Sequence, residues 1–237
     1  DDLSRFDRLG KQLLIAESKR NIGLLGSDAI FINSFDNILY SCSYPSSHEE
    51  LTNNLLSCKK FFPHSSAFFN RELVESLGGY RNRAGIAEDW DLWLRMASKG
   101  EIKNINEPLV KIRIHDDQIS KRNFLSQAYD TRVNVISSMI YSKKSYDPIE
   151  VFTDNEFIYF RKYIIHTFEK LGLEEYIKFT SLFKNPILKK FTLPLIFLKF
   201  IIKPYYLFSF IKLKFCSKLV QSHIADSYVK MEGSNNF

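Results

Sequence analysis

Three carboxylates fall within four positions at Glu88-Asp89-Trp90-Asp91. A carboxylate can take a proton from a hydroxyl near neutral pH once burial has raised its pKa. These acids stand at the predicted start of a helix, where the helix dipole alone also favours negative charge in the first turn. Trp90, Leu92, Trp93 and Met96 lie among them, so this helix start is expected to be largely buried, and a carboxylate aimed from it into a cleft would suit a general base. Asp1-Asp2 could supply oxygen ligands for a hard divalent cation such as Mg2+ or Mn2+ at a strand end, or could simply be solvated. Arg113 and His115 share a strand face by the two-residue period. His115 could then ligate a metal or orient a diphosphate, or be satisfied locally by Asp116 or Asp117. His64-Ser65-Ser66 lacks the Gly-x-Ser-x-Gly surround of a serine nucleophile and reads as cleft wall. His48, His166 and His223 have no ligand-spaced partners, and no Gly-rich phosphate loop or dinucleotide fingerprint is present.

The elements that must hold these residues follow from periodicity and punctuation. Ser4 to about Ala16 reads as a helix start, with Ser4 as cap and Leu9, Leu13 and Leu14 on one face. Asn21–Ser27 is punctuated by Gly, and Ala29–Ile32 then reads as a short buried strand with a hairpin into Ile38–Ser41. Glu49–Leu56 is a short helix, Phe61–Phe69 is strand-like, and Arg71–Leu77 is a helix closed by Gly78-Gly79. Glu88–Ser98 is an amphipathic helix ended by Gly100, and Ile102–Ile105 and Leu109–Ile114 are strands. From Phe124 the pattern is helical: Phe124–Tyr141, Asn155–Lys170, Leu173–Phe183 and a basic tail. The order predicts a mixed α/β region over 1–120 followed by an α-helical C-terminal region over 121–237.

The chain has 237 residues, 45% of them apolar, enough for a sizeable core. Three Cys (Cys42, Cys58, Cys216) without metal-ligand spacing argue against a disulfide framework. The net charge is +6, but nine Lys and no Asp or Glu lie between Tyr176 and Ala225, which leaves 6 − 9 = −3 for the rest. A mildly acidic body with a basic tail is not the charge pattern of a nucleic-acid-binding protein. No signal or transit segment opens the sequence, and a start on paired acids without Met suggests a piece of a longer polypeptide.

Taken in order, several stretches resemble glycosyltransferase family 2, GT-A-fold enzymes that use nucleotide-diphospho-sugars. Asp1-Asp2-Leu3-Ser4-Arg5-Phe6-Asp7-Arg8-Leu9-Gly10-Lys11-Gln12 resembles the segment after that family's strand-end metal motif, with Phe6 where the family has Pro. Asn21-Ile22-Gly23-Leu24-Leu25-Gly26-Ser27 is similar to the strand start that follows, and Ser66–Arg81 to the acceptor-side helix and turn. Ala87-Glu88-Asp89-Trp90-Asp91-Leu92-Trp93-Leu94-Arg95 resembles the Glu-Asp motif whose Asp is the catalytic base. Arg113-Ile114-His115-Asp116-Asp117-Gln118-Ile119-Ser120 is similar to the closing His-x-x-(Asn/Gln)-x-Ser motif.

The resemblance covers residues 1–120 and implies a partial GT-A, Rossmann-like mixed sheet with flanking helices. It implies Asp89 as catalytic base, with Glu88, Asp91, Trp90, Ser66 and Arg113 lining an acceptor and donor cleft. Asp1 and His115 are implied ligands of Mg2+ or Mn2+. The expected partners are a nucleotide-diphospho-sugar donor and a saccharide or lipid-linked acceptor, in surface polysaccharide synthesis. The family's nucleotide-binding strands are expected upstream of Asp1, so the chain alone is expected to be inactive. A non-catalytic, carbohydrate-binding remnant of such an enzyme is the alternative.

The tail, about 184–218, is apolar but interrupted by Lys199, Lys203, Lys212 and Lys214. Its longest charge-free piece at Pro204–Ile211 is far short of the roughly 20 residues a spanning helix needs. Lys199 and Lys203 share a helical face, which suits a helix lying on an anionic membrane surface, or a capping helix packed on the body with its Lys snorkelling. The expected location is cytoplasmic, peripheral at the inner face of the cell membrane.

Overall fold

A computed structural model describes residues 2–19, 21–115, 123–174 and 217–233. The chain divides into two compact units, Asp1–Val135 and Ile136–Phe237. The first unit is mixed α/β, as its alternating pattern predicts. Its sheet contains β1 (Leu3–Ser4), β2 (Ile22–Ile32), β3 (Ile38–Cys42), β4 (Phe68–Phe69) and β5 (Glu101–Arg113), in the order β1-β5-β2-β3 with β4 also paired to β2. β2 and β5 run parallel from Ile22 beside Glu101 to Ile32 beside Arg113, and every other pairing is antiparallel.

β2 is buried almost throughout, with Leu24, Leu25, Ala29 and Ile32 wholly enclosed. A strand covered on both faces reads as a continuous apolar run rather than an alternation. Its glycines are packing sites, not the turn their spacing suggests. A Cβ on Gly23 would lie 2.6 Å from Leu73 Cδ2, and one on Gly26 would fall inside the Phe62 ring. Likewise the two strands expected at Ile102–Ile105 and Leu109–Ile114 are one strand. The register slips between Ser27 beside Ile105 and Asp28 beside Pro108, which bulges out Asn106 and Glu107. The bulge offers Glu107 to Arg5 (2.6 Å) and Lys11 (2.7 Å).

Helices α1 (Arg8–Ser18), α2 (His48–Leu56), α3 (Arg71–Ser76) and α4 (Glu88–Ala97) flank this sheet. Ser4 does not cap α1; it lies in β1, and its hydroxyl accepts from Arg8 Nε (2.8 Å). α1 also buries a polar residue where an apolar face was expected. Gln12 is enclosed and donates to the carbonyls of Ser66 (2.8 Å) and Leu25 (3.4 Å), while Leu9, Leu13 and Leu14 are exposed. Phe61–Phe69 is not a strand along its length. After Pro63 it turns through a 3-10 helix, His64–Ser66, whose Ser66 hydroxyl donates back to the Pro63 carbonyl (2.8 Å), and only Phe68–Phe69 pairs with β2.

Helix α5 (Phe124–Lys144) begins in the first unit and continues into the second. The first unit therefore runs past residue 120 to Val135, because the first half of α5 hydrogen-bonds to the loop before α4. The second unit is helical among its described residues, with α6 (Pro148–Val151), α7 (Asp154–Lys170) and α8 (Ser217–Gly233). Thr153 and Glu156 form a reciprocal capping box on α7, and Phe160 meets Tyr228 of α8 edge to face at 4.9 Å. Lys184 to Cys216 of the tail lie outside the described residues.

Candidate active site

α4 starts from an irregular turn, and that turn is fixed from α5. The 3-10 segment Asn82–Ala87 kinks at Gly85, whose φ of 69° suits glycine. A Cβ there would collide with the Asp130 carboxylate, which accepts from the Ile86 N–H (3.2 Å). One helical turn on, Asn134 is 1% exposed and donates to the carbonyls of Ala84 (3.1 Å) and Ala87 (2.9 Å). Ala87, the residue before α4, has no side-chain cap to offer. Asp130 and Asn134 thus fix the backbone of the turn from which α4 starts.

The first turn of α4 holds Glu88, Asp89 and Asp91, and their surroundings separate them. Asp91 is 2% exposed and spent on two guanidinium groups. Arg81 binds both of its oxygens, and Arg95 reaches Oδ2 through Nε (3.1 Å) and Nη2 (2.8 Å). Arg95 also donates to the carbonyls of Leu77 (2.6 Å) and Gly79 (2.7 Å), so this cluster ties the turn after α3 onto α4. Asp89 is different. Burial lifts its carboxyl above the ordinary carboxylate range and Glu88 adds to this, while the Trp90 N–H (2.7 Å to Oδ1) and nearby His64 pull it back.

Two further side chains are electrostatically coupled to Asp89. Its charge and that of Glu88, after burial, raise the Tyr80 phenol pKa, and Tyr80 OH lies 3.0 Å from His64 Nε2. The His64 ring stands edge-on to Trp93 (5.7 Å, 76°), and Trp93 is 1% exposed. The phenol–imidazole pair therefore lies against Trp93 of α4, one helical turn from Asp89. Tyr80 carried only a turn signal in the sequence and His64 only a wall. Nothing in local spacing reveals that a loop 25 residues before Asp89 returns to it, since Ser66 and Gln12 set that return through the sheet.

The remaining expected site residues are placed as follows. Glu88 is half-buried beside Asp89. Trp90 gives its indole N–H to the Leu55 carbonyl (3.2 Å) and packs on Phe61, which anchors α4 to α2. Ser66 is buried, and its hydroxyl accepts from the Ser27 N–H (3.2 Å). Arg113 binds the β2–β3 turn through the Asn33 carbonyl (2.9 Å) and Asp36 (2.7 Å). Asp1 lies outside the described residues. Asp2 accepts from the Arg113 backbone N–H (3.0 Å), and His115 follows two residues on. The segment at the start of β1 and the end of β5, two residues before His115, thus meet at one end of the sheet. Among the described residues no three His, Cys, Asp or Glu side chains form a group that could hold a metal ion. An open depression of about 470 Å³ lies at the other end of α4, lined by Asn21, His48 and residues 97–101, and contains none of these groups.

The fold and site define a mixed α/β protein with a desolvated carboxylate beside a phenol–imidazole pair. Compared with models of known protein families and with curated proteins, the chain finds no match in either.

Proposed function

We propose that this chain carries the acceptor-side, catalytic-base part of an inverting glycosyltransferase of the family 2, GT-A type. The single observation that carries the reading is Asp89, a carboxylate whose pKa burial raises, presented at a helix start with polar side chains around it. A group tuned in this direction accepts a proton more effectively near neutral pH than an ordinary surface acid does.

In the proposed reaction Asp89 takes the hydroxyl proton of a saccharide or lipid-linked acceptor. The acceptor oxygen bonds to the anomeric carbon from the face opposite the nucleotide diphosphate. The bond from that carbon to the diphosphate breaks, and its electron pair leaves with the diphosphate. One displacement inverts the centre and needs no covalent intermediate. Asp1 and His115 would hold Mg2+ or Mn2+, which supplies charge neutralisation for the departing diphosphate. Glu88 adds negative charge next to the base and helps to keep its pKa high. The sugar product belongs to surface polysaccharide, and the enzyme works at the inner face of the cell membrane, with 184–218 resting on anionic lipid.

Replacing Asp89 with Asn in the full-length protein is expected to lower transfer about 10²- to 10⁴-fold while donor binding is unchanged. Release of nucleotide diphosphate from a panel of donors measures the first, and titration calorimetry the second. Undiminished turnover in Asp89→Asn overturns the reading. Saccharide binding without diphosphate release from any donor would instead make the chain a carbohydrate-binding module.

A further inference from the structure

His64 and Tyr80 take no part in the proton transfer itself, yet both are exposed and pair with each other against Trp93, one helical turn from Asp89. Tyr80 is 45% exposed, and His64 is exposed as well. Their bodies are held. The His64 ring is set against buried Trp93. Tyr80 sits between Gly79, whose carbonyl is bound by Arg95, and Arg81, which is bound to Asp91. A polar pair fixed in this way has lost its side-chain freedom on folding and gives up little more on binding a ligand.

The mutual bond at 3.0 Å leaves complementary capacity whichever group donates. If the phenol donates to Nε2, its oxygen still accepts. If Nε2–H donates, the phenol O–H is left to donate outward. A sugar hydroxyl can do both. Exposed Phe69, 6.2 Å from the same Trp93, adds an apolar wall of the kind that covers sugar C–H faces.

We infer that His64 and Tyr80 form a hydroxyl-binding subsite for the acceptor saccharide, holding a hydroxyl adjacent to the one that loses its proton to Asp89. The ligand class rests on the glycosyltransferase reading; the pair itself rests on geometry.

The test uses the full-length protein with Tyr80→Phe, His64→Ala and the conservative His64→Gln. Saturation-transfer NMR with methyl glycosides of glucose, galactose and N-acetylglucosamine, at tens of millimolar, should show binding to the wild type and its loss in Tyr80→Phe and His64→Ala. In turnover, acceptor KM should rise about five- to tenfold in those two variants with donor KM unchanged, as for one lost hydrogen bond, and His64→Gln should restore part of it. Circular dichroism confirms that each variant is folded. Equal saturation in wild type and variants, no saturation in the wild type, or a fall in kcat at constant acceptor KM overturns the subsite. Asp89→Asn run alongside separates the two ideas. If it still transfers sugar, the base reading fails, whereas weakened sugar binding by Tyr80→Phe still supports the subsite.

Discussion

Asp89 meets two opposed demands. Desolvation lifts its pKa toward the range useful to a base, and the same desolvation makes the ionised carboxylate a burden on the folded state. The sign follows from the direction of the shift. With the folded pKa above the unfolded one, the group's favourable contribution is present below the ordinary carboxylate pKa and is lost as pH rises through the raised value. Asp89→Asn should therefore be more stable than the wild type near pH 7, by about 1 kcal/mol, the gain common when a functional group held against its preference is replaced. The difference should shrink in acid, where the wild-type group is protonated. Urea midpoints of both proteins across pH read this directly, and a variant less stable at neutral pH would contradict it. Asp91, two positions along the same helix, is instead paired with two guanidinium groups. The clustering of acids made the region legible in the sequence. Which acid the arginines take was not, because Arg81 and Arg95 reach Asp91 only once the chain has turned at Gly78 and Gly79.

At the scale of elements, the cluster at Asp91 is a joint between α4 and the turn that carries Tyr80. Asp91→Ala removes the shared acceptor and leaves two largely buried guanidinium groups facing each other. A loss of about 3 kcal/mol is expected, in line with breaking a buried ion pair from one side. Chemical denaturation measures it, and a loss under about 1 kcal/mol would show the joint to be dispensable. α4 itself was readable from its amphipathic spacing and its Gly stop. β2 and β5 were readable only in pieces. Gly23 and Gly26 imitate a turn, and Pro108 with the Asn106–Glu107 bulge interrupts the period on which strand recognition depends. α1 shows the opposite failure. Its leucines keep a helical period, but Gln12 is the residue that docks. The support of the α4 start by Asp130 and Asn134 was hidden too, because polar residues within a long helix give no hint of which backbone groups they will satisfy.

At the scale of the molecule, no helix among the described residues is long and apolar enough to cross a membrane. The uneven distribution of charge along the chain belongs to this scale, since nine Lys without an acid lie between Tyr176 and Ala225. Liposome flotation should show binding to vesicles containing phosphatidylglycerol and none to pure phosphatidylcholine. Release is expected at about 1 M salt, where the screening length falls to about 3 Å. Equal binding to both vesicle types would assign the attachment to apolar contact alone, and no binding to either would remove the membrane from the proposal. The mixed α/β class followed from the order of patterns. The extent of the first unit, to Val135, depends on tertiary bonds from α5 that no local period encodes.

Gly26 ends up far more influential than a missing side chain suggests. Phe62 lies in the space that its Cβ would fill, and His64 is two residues further along the same loop. The central strand therefore acts as a ruler for the loop that carries His64. Even a methyl group at position 26 would be read out as a displaced imidazole. The position of His64, and of the Tyr80 bonded to it, can thus be tuned from inside the sheet, by pairing a larger residue at 26 with a smaller one at 62, without altering either side chain.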